Sequence, residues 1–267
     1  MPAVDTHVHV FARGLKLAPL RRYAPEYEAT IDDHFAVAQE HDITHAVLVQ
    51  PSFLGTDNNY MCAALRAHRE RLRGIAVVDP AISDNELDAL QAAGVVGIRL
   101  NLDGLPIPQF ERAPWPALLA SLKRRDWLVE VHREACDLPR LLDPLLAAGL
   151  NVVVDHFGRP DQQLGSRDPG FRYLLEQAGS RRVWVKLSGA YRNGPAPMSF
   201  TAAPALAALL LEHFGPERLV WGSDWPHTRH ESYIDLGLTR RMLDEWVPEP
   251  DARAQVLGAT ALHLFRF

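Results

Sequence analysis

The chain has 267 residues, 47% hydrophobic and 23% charged, which is ample material for one sizeable core and excludes disordered, collagen-like and fibrous readings. A formal charge of -5, from 28 basic and 33 acidic residues, offers no basic field for a phosphate backbone, so nucleic acid is not an expected partner. Two cysteines, Cys62 and Cys136, are too few for a disulfide framework or a thiolate zinc site. No apolar run approaches the roughly 20 residues of a membrane span, and the amino terminus lacks the basic-then-apolar plan of a signal peptide. The expected compartment is the cytoplasm, with no membrane partner.

In chain order, eight short apolar runs rich in β-branched residues read as strands: residues 3–6, 46–50, 74–78, 96–100, 128–131, 151–154, 183–187 and 219–221. The segments between them read as helices. Residues 32–41 and 58–70 carry apolar side chains three and four apart, as do 138–148 behind Asp137 as the expected N-cap. Gly94 and Gly149 fall where helices should stop. Eight βα units of about 33 residues predict the α/β class and a single-domain (β/α)8 TIM barrel over residues 1–267. A doubly wound open sheet would have fewer strands and a glycine-rich first turn, which this chain lacks. Two segments are expected as loops over the barrel mouth, the long first connection 11–30 and the proline-bearing stretch 193–204.

In such a barrel the chemistry is done at the carboxyl ends of the strands, so the polar residues there weigh most. Strand one ends in Asp5-Thr6-His7-Val8-His9, strand two in Gln50-Pro51-Ser52 and strand four in Arg99-Leu100-Asn101. Strand five ends in Glu130-Val131-His132, strand six in Asp155-His156-Phe157-Gly158-Arg159-Pro160, and strand seven in Lys186-Leu187-Ser188. Strand eight runs into Gly222-Ser223-Asp224-Trp225-Pro226-His227. His7 and His9, two apart on extended chain, point to one side, as two ligands of one metal must. His132, His156 and Asp224 come from three other strand ends, and convergence would give a nitrogen-rich site with one carboxylate, suited to zinc or a similar divalent ion. A lone histidine more simply satisfies a buried backbone group, but five at predicted strand ends favour one shared site. His34, His41, His45, His68, His213 and His263 fall in predicted helices or at their boundaries and are expected to serve packing or the surface.

These residues resemble the amidohydrolase superfamily, whose barrels place His-x-His on strand one, histidines after strands five and six, and an aspartate after strand eight. Here those positions are His7, His9, His132, His156 and Asp224. The stretches 50–58, 99–101, 155–161 and 221–227 are similar to the branch of lactonases acting on pyrone-dicarboxylates, sulfomuconolactones and sugar acids. The resemblance implies a hydrolase that opens a small anionic lactone with an activated water, as in aromatic-compound catabolism. Asp224, His156, His7 and His9 are the implied catalytic residues. In a metal-dependent version His7, His9, His132 and Asp224 hold one divalent ion, with zinc the first choice; in a metal-free version Asp224 takes the proton from water and the histidines donate to the oxyanion. Arg99 stands where binuclear members carry a metal-bridging lysine or glutamate, which implies at most one metal. Leu105 stands where the pyrone-dicarboxylate enzymes carry a second arginine after strand four, which implies a substrate with fewer carboxylates.

Arg99, Arg159 and Arg192 follow three different strands, and each guanidinium can grip a carboxylate through two parallel hydrogen bonds. Tyr23, Ser52, Asn101 and Tyr191 are weaker candidates for polar contacts with the substrate, each with a plain structural alternative. Cys136, near His132, is expected to be a small buried residue and not a nucleophile. Two rival readings stay open: a mononuclear-metal decarboxylase of the same superfamily acting on a carboxylated aromatic or muconate-like compound, and an anion-binding barrel without catalysis. A binder has no need of a carboxylate base among histidines. Monomer and homo-oligomer are equally compatible with these residues.

Overall fold

A computed structural model describes residues 2–194 and 198–267. Its strands are β1 (Ala3–Val8), β2 (Ile43–Val49), β3 (Leu72–Ala76), β4 (Val95–Asn101), β5 (Leu128–His132), β6 (Val152–Val154), β7 (Val183–Leu187) and β8 (Leu219–Trp221). They form one parallel sheet in sequence order. The sheet closes where Val8 bridges Trp225 and the His9 N–H donates to the Trp225 carbonyl at 2.9 Å. The architecture is the predicted (β/α)8 barrel. Each strand is followed by a helix: α1 (Ile31–Gln39), α2 (Asn59–Ala67), α3 (Asp84–Ala93), α4 (Trp115–Arg124), α5 (Leu138–Ala147), α6 (Pro169–Glu176), α7 (Met198–Phe214) and α8 (Leu236–Trp246). Short helices α9 (Pro250–Ala254) and α10 (Thr260–Phe265) end the chain. No helix among the described residues is long and apolar enough to cross a membrane.

Local chemistry explains the boundaries. Thr30 with Asp33, and Ser83 with Glu86, form reciprocal capping boxes that satisfy the first free N–H groups of α1 and α3. Gly94 ends α3 in a left-handed conformation, φ 113°. Asp137 does sit at the start of α5, but its side chain makes no capping bond and instead accepts from Arg133 Nε at 2.7 Å; the guanidinium is the stronger competitor. Strand β2 begins at Ile43, so His45 lies on a strand and not at a helix boundary. Of the stretch expected as a loop, residues 195–197 lie outside the described residues, and residues 198–204 are the first turns of α7 with Pro204 inside the helix. The other expected covering segment holds. Phe11 and Ala29 pair antiparallel at its base, and Phe11 packs with Phe53, Leu54 and Tyr23 beside the mouth.

The alternation of side chains along the strands sorts apolar from polar residues. Leu48, Ile98, Val129, Val131, Val152, Val154 and Val185 belong to the cluster shared with the helices. A second cluster holds Val47, Val49, Ile75, Val153 and Val220, and packs on Ala261, Leu264 and Phe265 of α10. Arg99, Glu130, Asp155 and Lys186 are also fully or nearly fully buried, and form a charged layer beneath the site. Strand β1 adds an irregularity: its register slips between Asp5 and Val8. The slip takes Asp5 out of line with His7 and His9, so Asp5 meets His34 of α1, 3.1 Å away.

Candidate active site

The mouth of the barrel holds a cavity of about 390 Å³. His9, Ser52, Arg99, Asn101, His132, His156, Arg159, Arg192 and Asp224 line it from the strand ends, and Tyr23 from the first connection. His7 lies fully buried below them, with its ring 4.9 Å from both the His9 and His156 rings. The close approach of β8 depends on Gly222, where a Cβ would sit 2.5 Å from the Cβ of His7.

Asp224 is asymmetrically held. Its Oδ2 accepts from the Tyr191 hydroxyl at 2.7 Å and from Arg192 Nε. Among the described residues its Oδ1 has no hydrogen-bond partner, and it lies 3.6 Å from His9 Nε2 and 3.9 Å from His7 Nε2. Burial alone would raise the pKa of this carboxyl, but the Arg192 guanidinium together with His9, His156 and His7 outweighs it and holds the group well below its ordinary range. One oxygen is thus clamped and the other is an unshared anion facing the histidines.

The imidazoles are oriented by their far sides. His9 Nδ1 is 2.7 Å from the Val49 carbonyl, which makes Nδ1 the donor and leaves the lone pair on Nε2. His156 Nδ1 is 2.8 Å from Ser188 Oγ, a contact possible because Gly189 has no Cβ to strike the ring. Burial lowers the His156 pKa to about 3, against the pull of Asp224. His132 faces Asn101 Oδ1 through Nδ1 at 3.0 Å and Arg159 Nη1 through Nε2 at 3.2 Å. Burial, then Arg99, takes its pKa well below the usual imidazole value. His7 is lowered likewise, by burial and by Lys186.

Lys186 is the residue that sequence reasoning passed over. Its Nζ donates to His7 Nδ1 at 2.9 Å and to Glu130 Oε2 at 2.5 Å, and lies 3.3 Å from Asp155. Donation to Nδ1 assigns the His7 ring proton to Nε2, on the side of Asp224. Arg99 completes the layer, 2.8 Å from Asp155 and 3.3 Å from Glu130. Burial and the neighbouring Asp155 push Glu130 up to about 7, while the Lys186 and Arg99 cations overcome burial to hold Asp155 well below its ordinary range. Arg99 was expected to be a free clamp for substrate; it does line the cavity, but its Nε and Nη2 are already occupied by Asp155. Period-two counting from His132, Asp155 and Ser188 was the available signal for Glu130 and Lys186, since charged residues at inward strand positions need partners.

Among the described residues, two groups have the donor atoms and spacing for a metal ion: His7, His9 and Asp224, and His7, Asp155 and His156. His132, expected as a fourth ligand, is in neither group, since its ring nitrogens do not fall within ligand spacing of those donors; they face Asn101 and Arg159. Five further side chains escaped the sequence reading: Arg22, Asp103, Arg229, His230 and Tyr233 also line the cavity. They lie in connections whose course strand patterning does not fix. Cys136 was expected to be buried and is exposed, in a short turn at residues 135–137; partial burial and then Asp137 raise its thiol pKa, which does not favour the nucleophilic thiolate.

The amidohydrolase family model matches residues 4–267. The chain is 31% identical over 275 residues to a 2-pyrone-4,6-dicarboxylate hydrolase from Comamonas testosteroni, covering 98% of this chain and 90% of that one. It is 29% identical over 274 residues to a 4-sulfomuconolactone hydrolase from Rhizobium radiobacter, covering 98% and 89% respectively. The crystal structure of a probable 2-pyrone-4,6-dicarboxylic acid hydrolase from Acinetobacter baumannii with citric acid bound matches all of both chains, with a TM-score of 0.96 and 39% sequence identity. A strand-end histidine and aspartate site on a closed eight-stranded barrel, with a family match along nearly the whole sequence, establishes that the chain belongs to the amidohydrolase family.

Proposed function

We propose that this protein hydrolyses small lactones that carry carboxylate or sulfonate groups. The observation that carries the reading is Asp224, with one oxygen clamped by Tyr191 and Arg192 and the other free beside neutral His7, in a cavity walled by arginines. Asp224 Oδ1 takes a proton from water as the water oxygen bonds to the lactone carbonyl carbon. His7, through its Nε2–H, and His156 stabilise the negative charge that gathers on the carbonyl oxygen. The ring C–O bond then breaks, and Asp224 returns the proton to the departing alkoxide, giving a hydroxy acid. Arg159, and Arg192 from the far side of Asp224, hold the anionic substituent, with Ser52, Asn101 and Tyr23 completing the wall.

His7 Nε2, His9 Nε2 and Asp224 Oδ1 fit a divalent ion by donor type and spacing, and two of these buried atoms have no other partner among the described residues. Bound there, zinc or a similar ion supplies carbonyl polarisation and an acidified water. The His7 Nε2 proton set by Lys186 must leave before that nitrogen can ligate.

A screen of neutral, singly charged and doubly charged lactones, with chelator-treated and zinc-supplemented protein, tests the function. Net uptake of water with preference for the charged compounds is expected; release of carbon dioxide from a carboxylated aromatic would replace the reading with a decarboxylase. In the same assay Arg159→Met should raise KM about tenfold for the acid and less for its methyl ester, with kcat little changed, because a clamp present in ground and transition states contributes uniform binding. Equal losses for acid and ester would assign Arg159 to the fold.

The pH profile has a definite sign. A base with a depressed pKa is active above that pKa and loses activity only as pH falls through it. The acid limb of kcat/KM is therefore expected below the ordinary carboxylate value of about 3.9. A limb near pH 6 would instead assign the titrating group to an imidazole.

A further inference from the structure

Five arginines line the cavity, and four of them already face a carboxylate of the chain. Arg22 faces Asp103, Arg99 faces Asp155, Arg159 faces Glu134 and Arg192 faces Asp224. Arg229 faces none among the described residues. The nearest acid in sequence, Glu231, accepts from the Tyr27 hydroxyl at 2.6 Å and from the Arg229 backbone N–H, and makes no ion pair with the Arg229 guanidinium. The wall of the cavity is one carboxylate short.

The backbone that carries Arg229 is tightly turned. It follows Asp224 by five residues in a run of tight turns, in which the His227 N–H donates to the Asp224 carbonyl at 2.8 Å and the His230 N–H to the His227 carbonyl at 2.7 Å. The ring of His230 lies 4.9 Å from that of Tyr191, which itself holds Asp224. Asp224, His227 and Arg229 all adopt left-handed backbone conformations, with φ of 63°, 62° and 73°. A side chain with a Cβ is disfavoured there and glycine is not. What an arginine at this position adds, against that cost, is a cation in the lining of the cavity that also holds the reacting carboxylate.

We propose that Arg229 is a specificity-determining residue that holds a second carboxylate of the substrate, remote from the lactone carbonyl, so that lactones with at least two carboxylates are preferred. This rests on the lactonase reading. It also supplies an anion site despite the absence of an arginine at Leu105. An unpaired guanidinium that meets its first counter-ion in the ligand acts on substrate affinity and not on the chemical step. Its exposure makes the effect weaken with added salt.

The test compares the wild-type protein with Arg229→Met and Arg229→Gly. Citrate and acetate binding are measured by calorimetry, and KM and kcat are measured for a dicarboxylated lactone and its monocarboxylated analogue. Both variants should lose about tenfold in citrate affinity and gain about tenfold in KM for the dicarboxylate, with kcat and the monocarboxylate KM unchanged. The glycine variant should melt no lower than the wild type, since it relieves the left-handed backbone. Citrate affinity unchanged by substitution, citrate bound no more tightly than acetate, or equal KM changes for the two lactones would overturn the subsite. A protein that hydrolyses no lactone but loses citrate affinity on substitution keeps the subsite and removes the lactonase reading.

Discussion

Replacing Asp224 by asparagine is expected to lower kcat by at least about a hundredfold while KM for an anionic lactone stays level or falls. The amide keeps the shape of the carboxyl, and its oxygen can still accept from Tyr191 and Arg192. What it cannot do is take a proton at neutral pH, and the free oxygen facing His7 and His9 is the atom that the proposed reaction uses. KM does not rise, because the substitution removes a negative charge from a cavity that binds anions. Arg192 is partly exposed, so solvent absorbs much of the cost of its lost ion pair. Steady-state kinetics beside a thermal melt checks the outcome. Turnover within a few-fold of the wild type in a folded variant would remove Asp224 from the role of base.

Replacing Lys186 by methionine should produce the largest loss of stability, about 3–5 kcal/mol in urea unfolding. Methionine fills much the same volume, so cavity formation is minor and the cost is electrostatic. Glu130 and Asp155, both fully buried or nearly so, lose the ammonium 2.5 and 3.3 Å away, and only Arg99 and, at 3.5 Å, the His7 ring remain to face them. The double variant Lys186→Met with Glu130→Gln should recover part of the loss, because it removes one of the stranded charges together with its partner. Activity should fall as well, since nothing would then hold the proton of His7 on Nε2. A single-variant loss below about 1 kcal/mol would show that the charged layer does not depend on the ammonium.

Much of the architecture is written locally in the sequence. The βα rhythm gives the barrel, because strand and helix periods are properties of short segments, and capping residues such as Thr30 and Ser83 set helix starts within one turn. The strand-end rule then brings His9, His132, His156 and Asp224 to one mouth, with His7 just below. What the residue pattern leaves open is which side chain each charge meets. Asp5 stands in line with His7 and His9 by simple alternation, yet the register slips in β1 and Asp5 meets His34. Lys186 reads as one more strand residue, yet it orients His7 from a strand 179 positions away. Arg22 and Arg229 reach the cavity from loops, whose course depends on what they pack against. Sequence patterning by itself determined the barrel and the ring of candidate ligands, because these follow from backbone periodicity. Only the tertiary structure decided their protonation, pairing and free valences, because those depend on distances between residues that no local pattern relates.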